Sequence, residues 1–219
     1  MINLTKHIED AINEVNEGKK LIENNDILNL SRSTKPHPMS TINTQSLINK
    51  LCRLPDTRYL EVGVLRGASY FAAAYNNKGV YYGVDNWSKY ANNQELIESN
   101  IEKYETEIRR FVFFNENSWS LDLEKFNNKI NVFFYDGDHS YESQEKILRH
   151  FDPILDDEII LLVDDFSAGE VGKIVKSATE AAIKNSSFEL ISHHELHEGR
   201  KWHNGIYIAH LRRKNDKKN

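Results

Sequence analysis

The chain has 219 residues, 39% of them hydrophobic and 28% charged, with a formal net charge of −5 and a sequence pI near 6.0. This length and composition fit one soluble globular domain with a single large core. A mildly acidic chain is a poor candidate for nucleic-acid binding, and no stretch approaches the ~20 apolar residues that span a bilayer. We therefore expect neither a nucleic-acid partner nor a membrane partner.

Cysteine usage and the two ends of the chain bear on its location. The single cysteine, Cys52, excludes an intramolecular disulfide, and its apolar helical surroundings favour a buried thiol. The N-terminus shows no apolar run of the kind found in signal peptides. These features lead us to expect a cytoplasmic protein, with residues 212–219 as a basic, disordered tail.

Residues 1–39 are predicted to form an N-terminal helical extension. Apolar residues recur at helical spacing up to Ile22, with a break near Gly18. A polar connector with two prolines, residues 31–38, follows. This extension fits an arm that packs on the domain or a lid over a site, and an amphipathic helix outside the core would suit a homodimer.

From residue 40 to residue 211, helices and strands alternate in a single predicted domain. Helices are predicted over residues 40–51, 69–75, 93–110, 140–151 and 172–184. Strands are predicted over residues 59–62, 79–85, 111–114, 131–135, 159–163, 188–192 and 206–210. The alternation predicts an α/β fold with a doubly wound, Rossmann-like, mostly parallel seven-stranded sheet that ends in an antiparallel strand pair.

A glycine turn follows the first predicted strand of this domain. Gly63 and Gly67 stand between that strand and the helix that begins near Ser69. A strand, a glycine turn and a helix in this order are typical of the cofactor-binding end of a doubly wound sheet. The Gly-x-x-x-Gly spacing matches neither the dinucleotide fingerprint nor the P-loop. The alternative is that the glycines only permit a tight turn.

An acidic residue, Asp85, ends the second strand. This is where doubly wound folds hold ribose hydroxyls, because one carboxylate accepts hydrogen bonds from two neighbouring hydroxyls. A helix N-cap is the alternative role.

Acidic residues also end the fourth and fifth strands. The fourth strand runs into Asp136-Gly137-Asp138-His139, and the fifth into Asp164-Asp165. Because the carboxyl ends of parallel strands meet at one edge of a sheet, these carboxylates are expected to converge and to need a compensating cation or proton. Carboxylate ligands favour Mg²⁺ over Zn²⁺.

Each member of this acidic group has an alternative role. Asp136 ends its strand directly and is preferred over Asp138 as a ligand, with Asp138 capping the following helix. His139 is either a base or a surface histidine at a helix start. Asp164 and Asp165 alone would fit a simple turn.

A histidine-rich stretch between the last two strands, with His193, His194, His197 and His203, suggests a zinc site. It lacks the His-Glu-x-x-His order, and no cysteine lies near it. We interpret residues 193–205 as a mobile loop at the mouth of a site, with Trp202, His203 and Asn204 as candidate contacts to an acceptor.

Over residues 40–210, the chain resembles the class I S-adenosylmethionine (SAM)-dependent methyltransferases. Within them it is most similar to the metal-dependent O-methyltransferases, in the catechol branch and the macrocin-type sugar branch. The hexapeptide Asp-Gly-Asp-His-Ser-Tyr at Asp136–Tyr141 carries this resemblance, together with Asp164-Asp165.

The resemblance implies two bound groups, SAM and a divalent cation, either Mg²⁺ or another. The cofactor residues that it implies are Glu61, Gly63 and Gly67 at the methionine end, Ser69 on the methionine carboxylate, Asp85 on the ribose, Asn117 and Ser118 at the adenine, Trp87 over the ring, and Asp136 beside them. The implied metal ligands are Asp136, Asp164 and Asp165. His139 occupies the position of the catalytic base, which is a lysine in the catechol branch and a histidine in the sugar branch.

The implied reaction is methyl transfer to a hydroxyl of a small molecule, a sugar, glycoside or vicinal diol. The chemistry of these residue types agrees, because a cation on carboxylates lowers a hydroxyl pKa and an imidazole titrates near neutral pH. A metal-independent methyltransferase with His139 as its base, a non-catalytic cofactor-binding module and a nicotinamide dehydrogenase are the competing hypotheses.

Overall fold

The computed structural model describes residues 2–19, 39–90, 92–197, 199 and 201–215. The helices of these residues are α1 (Leu4–Asn16), α2 (Ile42–Leu51), α3 (Ala68–Ala74), α4 (Gln94–Tyr104), α5 (Tyr141–Phe151) and α6 (Gly169–Lys184). The strands are β1 (Thr57–Val62), β2 (Gly79–Val84), β3 (Arg109–Phe114), β4 (Ile130–Tyr135), β5 (Leu155–Val163), β6 (Phe188–Leu196) and β7 (Ile206–Arg213).

The seven strands form one sheet in the order β3-β2-β1-β4-β5-β7-β6. Strands β1 to β5 are parallel, and β7 lies antiparallel between β5 and β6. The predicted mostly parallel, Rossmann-like sheet with an antiparallel strand pair is therefore confirmed. The strand order reverses between β1 and β4, which is where doubly wound sheets open a ligand-binding crevice.

The central parallel strands end level with one another. Val62 pairs with Val84 on one side and with Tyr135 on the other, and Tyr135 pairs with Val163. The residues that follow these four positions therefore leave the sheet at the same edge.

Both faces of the sheet are covered, as a parallel sheet requires. Helices α1, α2 and α3 share one buried hydrophobic cluster with Phe134, while α5 and α6 share the other with Phe133 and Tyr135. Neighbouring side chains along β4 enter opposite layers because successive residues of a strand point to opposite faces.

The helix α1 packs on the domain. Its apolar stripe is buried in the first cluster, and Lys50 Nζ donates to Glu14 Oε2 at 2.5 Å. Near its start, Thr5 Oγ1 lies 3.0 Å from Ser192 Oγ and 2.9 Å from His210 Nδ1. The predicted connector lies outside the described residues, so the lid, the homodimer and the boundary at residue 39 stay predictions.

Several predicted boundaries are wrong, and two of them have a clear structural reason. The helix predicted to reach residue 110 ends at Tyr104, because Thr106 and Arg109 exchange backbone hydrogen bonds that reverse the chain and leave Ile108 58% exposed. The loop predicted from residue 193 begins later, because β6 continues to Leu196 along β7.

The predicted start of the basic tail at residue 212 is wrong, because strand β7 includes Arg212 and Arg213. Residues 216–219 lie outside the described part. Within that part, no helix is long and apolar enough to cross a membrane.

Candidate functional site

A cavity of about 490 Å³ opens where the central strands end. Its wall is built from the loops that follow the five parallel strands β1 to β5, and from the tip of the β6–β7 hairpin. The predicted site residues in this wall are Asp85, Trp87, Asn117, Ser118, Asp136, His139, Asp164 and Asp165. Glu61, Gly63, Gly67 and Ser69 do not line the cavity.

The glycine turn is shaped by close packing. Gly63 and Gly67 have φ angles of +94° and +84°, which L side chains rarely adopt. A Cβ atom on Gly63 would lie 2.0 Å from the Asp136 carbonyl oxygen, and one on Gly67 would lie 2.6 Å from the Phe71 ring. The two glycines therefore let the turn sit against the β4 loop and α3. Their approach to a cofactor stays a prediction.

Glu61 is fully buried at the end of β1 and is held by two hydroxyls. The Tyr59 hydroxyl donates to its Oε2 and the Ser69 hydroxyl to its Oε1, each at 2.5 Å. Burial raises the pKa of Glu61 to about 8, although both hydrogen bonds act in the opposite direction. In this structure, Ser69 is thus committed to Glu61 and does not stand free for a methionine carboxylate.

Asp85 joins the β2 loop to the glycine turn. Its Oδ2 accepts from the Leu65 backbone N–H and its Oδ1 from the Trp87 backbone N–H, both at 2.7 Å. It is not a helix N-cap, since α4 begins at Gln94. Each carboxylate oxygen has a second lone pair, so Asp85 keeps the capacity to accept from ribose hydroxyls.

Trp87 is mostly a packing residue. Its residue surface is only 5% exposed, its indole N–H donates to the Leu65 carbonyl at 2.7 Å, and its ring lies 5.4 Å from Phe113. Its predicted place over an adenine ring stays a prediction, and most of the indole is already covered by protein.

The loop after β3 presents a second tryptophan that was not predicted from the sequence. Trp119 lines the cavity, with Lys146 Nζ 4.2 Å from its ring centroid and His150 packed edge-on at 5.0 Å. His150 Nε2 also lies 2.9 Å from the Ser118 carbonyl. The signal was available, because Trp119 directly follows the predicted adenine contacts Asn117 and Ser118.

The structure brings together the acidic ends of β4 and β5. His139 Nε2 lies 3.5 Å from both Asp136 Oδ1 and Asp165 Oδ2. Burial, followed by the charges of neighbouring carboxyl groups, raises the pKa values of Asp136 and Asp164 well above their usual range. Asp165 has a φ of +56°, and its Oδ1 accepts from Asn204 Nδ2 at 2.6 Å. A cation or a proton would relieve the repulsion in this group.

Asp138 serves the helix that follows it. Its Oδ2 accepts from the Ser140 and Ser143 hydroxyls at 2.6 and 2.8 Å, and its Oδ1 from Lys89 Nζ at 3.1 Å. These contacts, led by Ser140, hold the pKa of Asp138 well below its usual range. Ser140 itself is the N-cap of α5. The arrangement favours Asp136 over Asp138 as a ligand.

The donor set of Asp136, Asp164 and Asp165 has the chemistry that a hard divalent cation prefers. Its spacing does not form a coordination group, since within the described ranges no three or more His, Cys, Asp or Glu side chains are placed to hold a metal ion. In the histidine-rich stretch, His193 and His194 are neighbours on β6 and point to opposite faces, which opposes a shared zinc ion.

Residues 60–166 match a family model described as a methyltransferase domain. No curated protein matches the chain significantly. Among solved structures, the SAH-bound Podospora anserina methyltransferase PaMTH1 superposes with a TM-score of 0.62 at 12% identity, over 98% of this chain and 99% of that one. The O-methyltransferase TomG from Streptomyces achromogenes, in complex with SAM, superposes with a TM-score of 0.62 at 14% identity, over 98% and 100%. The chain therefore has the fold of these methyltransferases, and residues 60–166 match a methyltransferase domain.

Proposed function

We propose that the protein transfers a methyl group from SAM to a hydroxyl of a small molecule, a sugar, glycoside or other vicinal diol. The observation that carries the proposal is the position of His139, between Asp136 and Asp165 in the cavity wall. When bound, SAM would supply the methyl group to the acceptor oxygen, and the His139 imidazole would take the proton of that hydroxyl.

The two carboxylates prepare His139 to act as the base. They face Nε2 and so favour the tautomer that carries its proton there, which leaves Nδ1 unprotonated. Nδ1 is buried and has no hydrogen-bond partner among the described residues. The same carboxylates would stabilise the imidazolium that forms after proton transfer.

The cofactor would lie across the β1–β2 half of the cavity, with Asp85 on the ribose and Asn117 and Ser118 at the adenine. TomG was solved with SAM and PaMTH1 with SAH, which supports this choice of cofactor. Glu61, held by Ser69 and Tyr59, would stand behind the glycine turn at the methionine end.

A divalent cation, Mg²⁺ or another, would be held by Asp136, Asp164 and Asp165. When bound, it would supply Lewis acidity that lowers the pKa of the acceptor hydroxyl. Burial and mutual repulsion raise the pKa values of Asp136 and Asp164, which supports this role because a bound cation would relieve the repulsion.

A metal-independent methyltransferase on the same fold is the second candidate. The spacing of the carboxylates favours it, because no metal-binding group is formed by the described side chains, and His139 already has two carboxylate neighbours. A chelator distinguishes the two candidates.

The first experiment is calorimetric titration of SAM and SAH, each with Mg²⁺ and with excess chelator, followed by SAH release on a panel of methyl glycosides and catechol. Binding of both ligands with methyl transfer supports the proposal. Full turnover in chelator selects the metal-independent reaction. Binding without transfer to any acceptor would make the chain a non-catalytic module, and absence of binding would reject the cofactor site.

Asp136→Ala tests the acidic cluster directly. We expect turnover to fall by at least about a hundredfold while SAH affinity changes by less than about threefold, because the carboxylate acts on the acceptor side. Asp138→Asn in the same loop is the matched control and should retain turnover, since its carboxylate contacts Lys89, Ser140 and Ser143. Equal losses in both variants would contradict the assignment.

A further inference from the structure

The described part of the β6–β7 hairpin tip, Gly199 and residues 201–205, lines the cavity with His203 and Asn204 and is hydrogen-bonded on two sides. Gly199 and His203 exchange backbone hydrogen bonds of 2.9 and 3.0 Å that close the tip. On one side, Thr41 Oγ1 and Asn43 Nδ2 donate to the Lys201 carbonyl at 2.7 and 3.1 Å. The start of α2 therefore fixes the outer part of the tip.

The other side of the tip is attached to the loop after β5. The Ser167 backbone N–H donates to the Asn204 carbonyl at 2.9 Å, and Asn204 Nδ2 donates to Asp165 Oδ1 at 2.6 Å. Gly205 has a φ of +87°, and a Cβ there would lie 2.0 Å from Ser167 Oγ. The tip is thus seated directly against the acidic end of β5.

At this tip, His203 adopts an unfavourable backbone conformation. Its φ is +56°, a left-handed conformation that disfavours non-glycine residues by about 1 kcal/mol. The residue lines the cavity, and its Nδ1 is buried without a hydrogen-bond partner in the described part of the chain. A buried ring nitrogen without a partner adds a second cost. A ring flip that turns Nδ1 towards the cavity would let a bound ligand hydrogen-bond it and remove that cost.

The order of the strands indicates whether His203 would contact the cofactor or the acceptor. The hairpin follows β5 in the order β1-β4-β5-β7, so the acidic cluster separates His203 from the Asp85 side of the cavity. Cofactor contacts are expected on the β1–β2 side, and His203 therefore faces the acceptor. His139 offers a second buried Nδ1 without a partner among the described residues, in the same cavity wall.

We propose that His203 is a specificity-determining residue whose Nδ1 hydrogen-bonds a second hydroxyl of the acceptor while His139 takes the proton from the first. The acceptor is then a polyhydroxylated ring and not a molecule with a single hydroxyl. An imidazole nitrogen can either donate to a hydroxyl or accept from it, according to the tautomer. The identity of the reaction rests on the proposed function, but the binding of the second hydroxyl does not require turnover.

Two variants separate the hydrogen bond from the backbone strain. Gly and Asn both tolerate the left-handed conformation, and only Asn places an amide where Nδ1 stands. The probes are methyl α-D-glucopyranoside and its 2-, 3- and 4-deoxy analogues, titrated into SAH-loaded protein by NMR. We expect wild type to bind the parent glycoside about tenfold more tightly than one of the deoxy analogues. His203→Gly should abolish this difference and His203→Asn should largely restore it.

The outcomes separate this inference from the proposed function. A preserved difference in His203→Gly, or no binding of any glycoside to wild type, would overturn the role of His203. Glycoside binding that depends on His203 without SAH release would uphold the inference and reject O-methyl transfer to such rings. SAH affinity should stay within about twofold in both variants, because His203 lies on the acceptor side.

Discussion

Gly63 illustrates at the scale of one residue how the fold constrains the site. It combines a φ of +94° with an approach to the Asp136 carbonyl that leaves no room for a side chain. Gly18, beyond the end of α1, has a φ of +84°, and a Cβ there would meet no atom of the described residues within 4 Å. The two glycines share a positive φ and differ in how closely their surroundings pack.

Gly63→Ala should therefore destabilise the protein by more than about 3 kcal/mol, because strain and a backbone clash add. Gly18→Ala is the matched control and should cost about 1 kcal/mol from the conformation alone. Urea unfolding of both variants measures the difference. Equal losses of unfolding free energy in the two variants would show that the glycine turn can move away from the β4 loop without destabilising the protein.

The residue scale also shows the limit of sequence reasoning. The residues predicted for the ribose, adenine, base and metal all line one cavity. Their partners were not predictable, because Ser69 binds Glu61 and Trp87 binds Leu65 through contacts that depend on how two turns meet. A sequence shows which side chains can donate a hydrogen bond, but it does not show which neighbour accepts that bond in the folded protein.

At the scale of elements, the start of α5 explains why two aspartates only two residues apart behave differently. Asp136 follows the strand and faces the acidic cluster, whereas Asp138 lies over the first turn of α5 with the Ser140 and Ser143 hydroxyls. A negative charge at a helix N-terminus is favourable.

Asp138→Asn should lower the free energy of unfolding by about 1 kcal/mol at pH 7. The lowered pKa of Asp138 means that its contribution is present above about pH 4 and is lost as the pH falls towards the folded-state pKa. Chemical unfolding at pH 7 and pH 3 measures this. Glu142→Gln, which removes an exposed charge from the same helix turn, should change stability less. An equal loss of stability in the two variants would show that the negative charge stabilises the helix and that the contacts of Asp138 add nothing.

At the scale of the whole molecule, buried carboxyl groups tie stability to pH. Glu61 has a pKa of about 8 in the folded protein and about 4.5 when unfolded, so the folded state keeps a proton that the unfolded state releases. Its contribution to stability is fully present below about pH 4.5 and is lost as the pH rises to about 8. The raised pKa values of Asp136 and Asp164 act in the same direction.

The free energy of unfolding of the ligand-free protein should therefore fall between pH 5 and pH 8. Glu61→Gln should reduce the slope of this free energy against pH by up to about 1.4 kcal/mol per pH unit. Urea unfolding at pH 5, 6.5 and 8 checks this expectation. Glu102→Gln on the exposed face of α4 is the control and should leave the slope unchanged. A slope that is identical in Glu61→Gln and wild type would refute the buried, protonated state of Glu61.

The sequence by itself determined the alternation of strands and helices, the antiparallel pair at the end and the acidic edge of the sheet. These follow from local periodicity, because a buried strand such as 159–163 and an amphipathic helix such as 141–151 are written in neighbouring residues. The tertiary structure alone decided the strand order and register, the seat of the hairpin tip at His203 and the partners of Glu61 and Asp138. Those features depend on contacts between residues far apart in the chain, which no local pattern encodes.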